Sequence, residues 1–394
     1  MSDISSGQTE SGSNAAAAVE EARRLYAERK FNRAVACMDA ALLAEPDQSY
    51  WLRLRGSMLM TFNRFADAKR DFARLTQLLP GDAEAWLELG HCHRALAERD
   101  KAEHAFLKTL EHSPGAVEAM VSLGALYREI GAFDRAIGWL DKAVAAGPSE
   151  VRAHCVLGTT LLAAGEAERG RQSLEKAFAL NPYDRTTMAY LYVAFCHTGD
   201  MAAATALIDP QHLIRSYQRD EIDGAPESFN GRLAEHIRNH PTLEYQRSGN
   251  TTRGGSQTGN LLEENPGPVG ELHKWIDERV RQYLGEIPRS DAHPYLAWSP
   301  SQWDIDIWAI IIQPGGYQQP HIHPDGWVSG VYYAAVPQSV MSGHDDSDDG
   351  GCLELGRPPS PFCDSGEYPT RMLRPQPGRC LLYTSDAADD TSEV

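Results

Sequence analysis

Two histidines in the last third of the chain, His321 and His323, stand one residue apart in the segment Gln-Pro-His-Ile-His-Pro-Asp-Gly. In an extended strand, residues i and i+2 lie on one face, about 6–7 Å apart, so both imidazoles can aim at one point. Imidazole binds iron(II), and a carboxylate completes a facial set of ligands with open positions. Asp325 continues the same face and is the alternative ligand. The spacing predicts a ferrous site, although two ordinary surface histidines would produce the same pattern.

The residues around this pair predict β-structure. Apolar and polar residues alternate over 303–309, a Pro-Gly-Gly turn follows at 314–316, and a second β-rich run covers 328–336. Short strands return at 352–355 and 371–373. Several short strands separated by turns are typical of a β-sandwich or barrel, which would place the histidines at the mouth of a barrel.

The segment before these strands predicts a helical lead-in. Residues 233–237 and 272–283 have helical apolar spacing. Between them, residues 247–259 are polar and rich in glycine, which predicts a flexible loop, with a substrate-covering loop as the alternative.

The N-terminal half contains an internal repeat of 34 residues. Proline recurs in this register at Pro46, Pro80, Pro114, Pro148 and Pro182. Small residues form two further columns, at Gly56, Gly90, Gly124 and Gly158, and at Ala34, Ala68, Ala102, Ala136 and Ala204. Large apolar residues form a fourth column at Met38, Phe72, Phe106, Leu140 and Leu174. Small residues let two helices approach closely, proline ends the second helix of a pair, and the apolar column is expected to fill the gap between successive pairs.

These columns resemble the tetratricopeptide repeat family over residues 15–210, with five full units and one degraded unit. The resemblance implies an α-solenoid whose concave face binds a protein or peptide. A structural scaffold or a dimerisation element is the alternative.

The C-terminal motifs resemble a second family. Gln-Pro-Gly-Gly-Tyr, Pro-His-Ile-His-Pro and Ser-Gly-Val-Tyr-Tyr, followed by Gly-Cys-Leu-Glu and Arg-Pro-Gln-Pro-Gly, are similar to bacterial iron(II)/2-oxoglutarate oxygenases over about 240–379. These enzymes are distantly similar to prolyl hydroxylases and often follow tetratricopeptide repeats. The resemblance implies a jelly-roll (double-stranded β-helix) domain that uses Fe(II) and 2-oxoglutarate. It favours His321 and His323 as metal ligands, with Asp325 as the alternative, and it makes Tyr317 and Tyr332 candidate cofactor-binding residues. Core packing is the alternative role for at least one of these tyrosines.

The family pattern requires a distal histidine and an arginine for 2-oxoglutarate after Pro377-Gly378. After Arg379 the chain reads CLLYTSDAADDTSEV, and no histidine follows His344. Residues 380–390 match the translation of a sequencing adaptor, so we expect 380–394 to be a non-native tail. The chain as written is therefore expected to have little or no oxygenase activity, and His344 is expected to be solvated rather than a third ligand.

Composition limits the remaining possibilities. The net charge of −18 disfavours nucleic acid and anionic membranes as partners. No long apolar stretch predicts a membrane span, and seven scattered cysteines predict reduced thiols in the cytoplasm. The expected architecture is a multi-domain α plus β chain with a disordered lead at 1–14, repeats at 15–210, an incomplete jelly roll at 211–379 and the tail at 380–394. The expected function is a dioxygenase that hydroxylates an unknown substrate, which the repeats suggest is a protein. A non-catalytic repeat scaffold and a cupin-like metalloenzyme that uses no 2-oxoglutarate are the alternatives.

Overall fold

The protein divides into two compact units, Met1–Val156 and Leu157–Val394. The structure, a computed structural model, describes residues 4–28, 30–208, 213–219, 228–247, 251–262, 266–290, 293, 295–323, 326–341, 350–359, 361–362, 367–384 and 389–391. The division falls inside one helix, Val151–Ala163, rather than at the end of the repeats near residue 210. The last repeats therefore group with the β-strands.

The first unit is built from helices joined in pairs by three-residue links. Its helices are α1 (Ile4–Ala27), α2 (Phe31–Ala44), α3 (Ser49–Thr61), α4 (Phe65–Leu78), α5 (Ala83–Ala95), α6 (Arg99–His112), α7 (Val117–Glu129) and α8 (Phe133–Ala146), followed by the start of α9 (Val151–Ala163). Because α1 begins at Ile4, the disordered lead predicted for 1–14 is wrong from residue 4 onward. The alanine run at 15–18 is strongly helix-forming, and a helix once nucleated extends readily in both directions.

The glycine column receives the large apolar column within each helix pair. A Cβ atom added to Gly90 of α5 would lie 2.5 Å from the Phe106 ring of α6, and one added to Gly124 of α7 would lie 2.5 Å from Leu140 of α8. Phe106 and Leu140 are fully buried. These side chains therefore hold the two helices of one pair together. The same side chains also reach the next pair, because Phe106 belongs to one buried cluster with Leu123 and Leu126 of α7, as expected for residues that fill the gap between successive pairs.

The links and helix ends follow the same register. The second helices end at Ala44, Leu78, His112, Ala146 and Leu180, each two residues before a column proline, which confirms the predicted stop. From the α3–α4 link onward, each link within a pair also carries one residue with positive φ, at Asn63, Ala97, Gly131, Gly165 and Gly199. Such a residue lets the chain leave the first helix sharply, and glycine adopts this conformation at the lowest cost.

The second unit contains the remaining helices and all the described strands. Its helices after α9 are α10 (Ala167–Leu180), α11 (Arg185–His197), α12 (Met201–Ile208), α13 (Phe229–Arg238), α14 (Pro268–Glu286) and α15 (Gln338–Met341). Its strands are β1 (Arg215–Gln218), β2 (Glu244–Tyr245), β3 (Thr252–Gln257), β4 (Ile310–His321), β5 (Val328–Tyr332), β6 (Leu353–Leu355), β7 (Arg371–Leu373), β8 (Arg379–Thr384) and β9 (Asp389–Thr391). The two helices expected in the lead-in are confirmed as α13 and α14.

The strands form two sheets, with neighbouring strands antiparallel. The smaller sheet has the order β1-β8-β5, and the larger one has the order β2-β3-β4-β9-β6-β7. The core beneath them draws on α11, α13 and α14 as well as the strands, through Met188, Phe229 and Tyr283. A helical array followed by a β-domain confirms the predicted fold class.

Three local predictions are corrected by these sheets. Residues 303–309 are not a regular strand, because the Ala309 N–H donates to the Thr258 hydroxyl instead of a backbone carbonyl. The Pro-Gly-Gly sequence at 314–316 is not a turn between strands but a bulge inside β4. Residues 252–257, expected to be part of a loop, form β3 and pair with β4.

Strand β8 lies in the middle of the smaller sheet, between β1 and β5. Cys380, Leu381, Leu382 and Tyr383 are almost completely buried. The first residues of the expected tail are thus part of the domain core, because a short apolar run with an aromatic residue fills a central strand whatever its origin. The non-native origin of 380–394 stays a prediction.

The cysteines within the described ranges are free thiols, while Cys363 lies outside those ranges. Among the helices that the structure describes, none is both long and apolar enough to cross a membrane.

The glycine column predicts a matched pair of variants. Gly90→Ala should destabilise the protein by about 1–3 kcal/mol, because the new methyl group would overlap the buried Phe106 ring. Gly138→Ala, in helix α8 with open space around its Cβ position, should stabilise it by about 0.5–1 kcal/mol. Denaturant unfolding of both variants measures the difference. Equal effects of the two substitutions would contradict the packing described.

The pH dependence of stability should contain a contribution from His91. Burial, together with the Arg94 and Arg152 guanidiniums, lowers the pKa of His91 from 6.5 to about 4. Glu118 lies 3.7 Å from the imidazole but is also paired with Arg152, so it does not reverse this shift. The unfolded chain therefore binds a proton that the folded protein excludes, and stability is lost as the pH falls from 6.5 to 4.

The His91 contribution is up to about 3 kcal/mol over this window. His91→Gln should flatten the decline of unfolding free energy between pH 6.5 and 4, whereas His112→Gln, at an exposed position, should leave it unchanged. Urea titrations at several pH values test this, and parallel pH profiles for the wild type and His91→Gln would refute it.

Candidate metal centre

The two predicted histidines lie side by side at the end of β4. His321 is the last residue of the strand and His323 follows it. Their ring centroids are 4.8 Å apart, and the ring planes are inclined by 76°. Both residues are half-buried. The structure thus brings together the two imidazoles that the sequence analysis paired.

The backbone orients the first imidazole. The Nδ1 atom of His321 lies 2.9 Å from the Gln319 carbonyl oxygen. Because a carbonyl only accepts hydrogen bonds, Nδ1 carries the proton and Nε2 keeps the lone pair in the neutral ring. A backbone carbonyl commonly fixes metal-binding histidines in this way. His321 is therefore held in a tautomer that can donate Nε2 to a metal.

Two glycines shape β4 before it reaches the histidines. Gly254 of β3 has a φ of +60°, and a Cβ atom on Gly316 would lie 2.3 Å from the Gly254 carbonyl oxygen. Only two residues without side chains can approach so closely, which lets β4 bulge while it stays paired with β3. A second register shift against β9, between Gln318 and His321, follows. These irregularities set the course of β4 and therefore the position of His321 at its end.

The chain after the histidines is anchored by aromatic residues. The Tyr295 ring stacks on Trp327, with centroids 4.3 Å apart and planes inclined by 15°. The Tyr295 hydroxyl also donates to the Trp327 carbonyl oxygen over 2.7 Å. Trp327 immediately precedes β5, so this contact fixes where the chain resumes its course after His323.

The other predicted site residues have different positions. Asp325, the alternative ligand, and His344 lie outside the described residues. Tyr317 is half-buried on β4, opposite Arg253 of β3. Tyr332 packs in the core against Phe229 and Trp275, and its hydroxyl donates to Asn230 Oδ1 over 2.6 Å. Tyr332 is thus partly buried against the core, and its role in cofactor binding stays a prediction.

One neighbour of the site was not selected from the sequence. The Trp308 ring lies 5.8 Å from the His323 ring and is 44% exposed. Trp308 lies between Ile307 and Ala309, which pack in the core, so alternation along the extended segment turns Trp308 away from the core. That alternation is the sequence signal that could have identified it. It forms an apolar flank beside the second imidazole.

The donor set fits a ferrous ion in part. Two neutral imidazoles are suitable ligands for iron(II), and the closeness of their rings is compatible with one ion held between them. In the part of the chain that the structure describes, however, no cluster of three or more histidine, cysteine, aspartate or glutamate residues could hold a metal. The geometry therefore brings together two candidate metal ligands, His321 and His323.

Two known protein families match separate parts of the chain. Residues 306–393 match the family described as "Putative 2OG-Fe(II) oxygenase". Residues 19–68, 55–98 and 93–151 match the tetratricopeptide repeat family. The oxygenase match includes both histidines and strands β4 to β9. The repeat match covers the first unit up to α9, and the register columns continue beyond it.

Solved structures similar to this chain are repeat proteins. MamA is 21% identical, with 43% of this chain and 93% of MamA covered and a TM-score of 0.39. YrrB, described as a TPR protein with an unusual peptide-binding site, is 19% identical over 43% of this chain and 88% of its own, with a TM-score of 0.36. A thermophilic TPR protein from Thermus thermophilus is 16% identical over 46% of this chain and 98% of its own, with a TM-score of 0.39.

None of the curated proteins matches this chain. The low identities and TM-scores of the solved structures add no functional argument, and the assignment depends on the two family matches. This protein carries tetratricopeptide repeats in its N-terminal half and, from residue 306 onward, a domain of the 2OG-Fe(II) oxygenase family.

Proposed function

We propose that the intact parent of this chain is an iron(II)/2-oxoglutarate-dependent dioxygenase that hydroxylates a protein substrate recruited by its repeats. The observation that supports this most strongly is the contact of the His321 and His323 rings, 4.8 Å apart, inside the segment that matches the oxygenase family. The family match supports the general class of chemistry, and the identity of the substrate is part of the proposal.

His321 and His323 would hold the iron through their imidazole nitrogens. The Gln319 carbonyl keeps Nε2 of His321 available, and the half-buried position of both rings limits competition by water. Asp325 is the alternative ligand to this pair, and Tyr317 is the candidate contact for 2-oxoglutarate. Bound iron(II) would activate dioxygen, the oxidant, while 2-oxoglutarate would supply two electrons by decarboxylation to succinate, and one oxygen atom would then hydroxylate a substrate C–H bond.

The apolar flank at Trp308 gives the protein a means of positioning a substrate. Its ring is beside His323 and nearly half exposed, so a flat or aliphatic substrate group could pack on it without displacing a ligand. The protein's own contribution is therefore ligation, orientation and partial exclusion of water.

The repeats supply the proposed recruitment. Repeat arrays offer extended surfaces that suit peptides and other proteins, and the family match supports partners of this kind. The concave face is the proposed location of the bound partner. Free thiols at the described cysteines support a reducing compartment, which we propose to be the cytoplasm.

The 394-residue chain itself is proposed to be a poor catalyst. None of its residues from 345 to 394 is a histidine, and none from 380 onward is an arginine. The third iron ligand and the guanidinium that would pair with 2-oxoglutarate are thus not supplied where the family pattern has them. A protein-interaction scaffold without turnover is the second candidate, favoured by the lack of any group of three or more potential metal ligands among the described residues.

The proposed ligands predict specific losses of metal affinity. His321→Ala and His323→Ala should each weaken binding of a divalent probe, Co(II), by at least about tenfold, because each removes one of two imidazoles. The chain has a second close histidine pair, His236 and His240, with ring centroids 5.7 Å apart. His240→Ala should leave Co(II) affinity unchanged. Calorimetry or the Co(II) absorption band measures this, and an equal loss in the control variant would count against the assignment.

Turnover distinguishes the chain from its parent. With Fe(II), ascorbate and 2-oxoglutarate, the 394-residue chain should form no succinate above the protein-free rate. A version in which 380–394 is replaced by the source's native coding sequence should form it. Succinate production by the unaltered chain at the parent's rate would disprove the proposed defect, and no 2-oxoglutarate affinity in either protein would favour the scaffold.

A further inference from the structure

The last repeat departs from the others at its glycine column. Tyr192 of α11 stands 34 residues after Gly158. In the earlier pairs this position receives an apolar side chain from the second helix, but the second helix here, α12, has only 8 residues. The bulky Tyr192 is nevertheless only 3% exposed. Another part of the chain must therefore cover it.

The covering element is the segment between β6 and β7. The Tyr192 hydroxyl lies 3.0 Å from the Gly356 carbonyl oxygen and 3.4 Å from that of Pro369. These two carbonyls belong to opposite ends of the segment, whose flanking residues Leu355 and Arg371 are paired. Gly356 has a φ of +99°, and a Cβ atom there would lie 2.5 Å from the Pro369 carbonyl oxygen. The Tyr192 hydroxyl thus contacts both ends of a segment whose ends lie very close together.

Aromatic contacts continue this attachment. Phe362, only 2% exposed, meets the Tyr190 and His197 rings of α11 edge-on, at centroid distances of 6.0 and 5.9 Å. The Tyr368 hydroxyl bonds to the Phe362 carbonyl oxygen over 3.0 Å and to His197 Nε2 over 2.8 Å. Because the carbonyl accepts the hydroxyl proton, His197 Nε2 donates to Tyr368. The segment is therefore attached by directional bonds as well as by burial.

We propose that residues 356–359, 361–362 and 367–370, here called the strap, are an intramolecular ligand of α11. The strap occupies the α11 surface, so partners of the repeats must bind other repeat helices instead. It also connects α11 to the larger sheet, in which β6 and β7 lie on one side of β9 and β4 lies on the other. The restriction on partners rests on the proposed docking role of the repeats, whereas the strap attachment does not.

Hydrogen exchange of the full chain tests the attachment. Tyr192→Phe removes the hydroxyl that donates to the Gly356 carbonyl, so amides of 353–373 should exchange about tenfold faster while those of α3 to α6 are unchanged. Tyr183→Phe is the matched control, because Tyr183 is 54% exposed. Unchanged exchange at 353–373 in Tyr192→Phe, or an equal change in the control, would overturn the proposal.

A second variant and a peptide-binding measurement test the same proposal if Tyr192→Phe folds poorly. Phe362→Leu retains apolar volume but loses the edge-on ring contacts, and it should also accelerate exchange at 353–373. A labelled synthetic peptide of residues 350–373 should bind the Phe362→Leu chain at least about tenfold more tightly than the wild type, whose α11 surface is already occupied. Equal affinity for both chains, or no binding to the variant, would refute the idea that the strap is a ligand. Neither readout depends on iron, 2-oxoglutarate or an external partner.

Discussion

Close approach at positions without a side chain is the constraint on which both halves of this protein depend. In the repeats, a glycine on the first helix makes room for a buried ring or leucine from the second, as Gly90 does for Phe106. In the β-region, Gly254 and Gly316 bring β3 and β4 together at the bulge that precedes His321. A Cβ atom at any of these positions would overlap a neighbouring atom. Helix pairing and the course of the histidine strand therefore rest on the same steric condition.

The same condition explains why the last repeat serves a different purpose. In α11 the glycine column holds Tyr192, and the partner helix α12 has only 8 residues. The surface of α11 is instead covered by residues from the β6–β7 segment and by the core around Met188. This accounts for the boundary between the compact units, which lies inside α9 rather than after the repeats.

At the candidate metal centre the histidine pair is well defined, whereas the rest of the expected ligand set is incomplete. Two imidazoles lie against each other, and one is oriented by a backbone carbonyl, so the pair would lose little conformational freedom on binding an ion. An oxygenase also needs a third ligand and a cation for 2-oxoglutarate, because two ligands neither fix the coordination geometry nor orient the co-substrate. The packing of β8 shows that a stable β-core does not require these polar groups. Fold and chemistry are thus separable in this domain.

The sequence by itself determined the features that depend on local spacing. The 34-residue register predicted the repeats and their helix ends, since close packing and helix termination need particular residue types at particular positions. The one-residue spacing of His321 and His323 likewise predicted that their rings converge, because alternation along an extended chain is a local property. Only the tertiary structure decided how distant segments meet. It showed that the apolar column packs on the glycines of its own helix pair as well as on the next pair, turned the expected turn at 314–316 into a bulge, and packed Tyr332 against the core. It also drew residues 380–384 into a central strand and attached the β6–β7 segment to α11. These outcomes depend on contacts between residues separated by up to 177 positions, and local patterns carry no information about such partners.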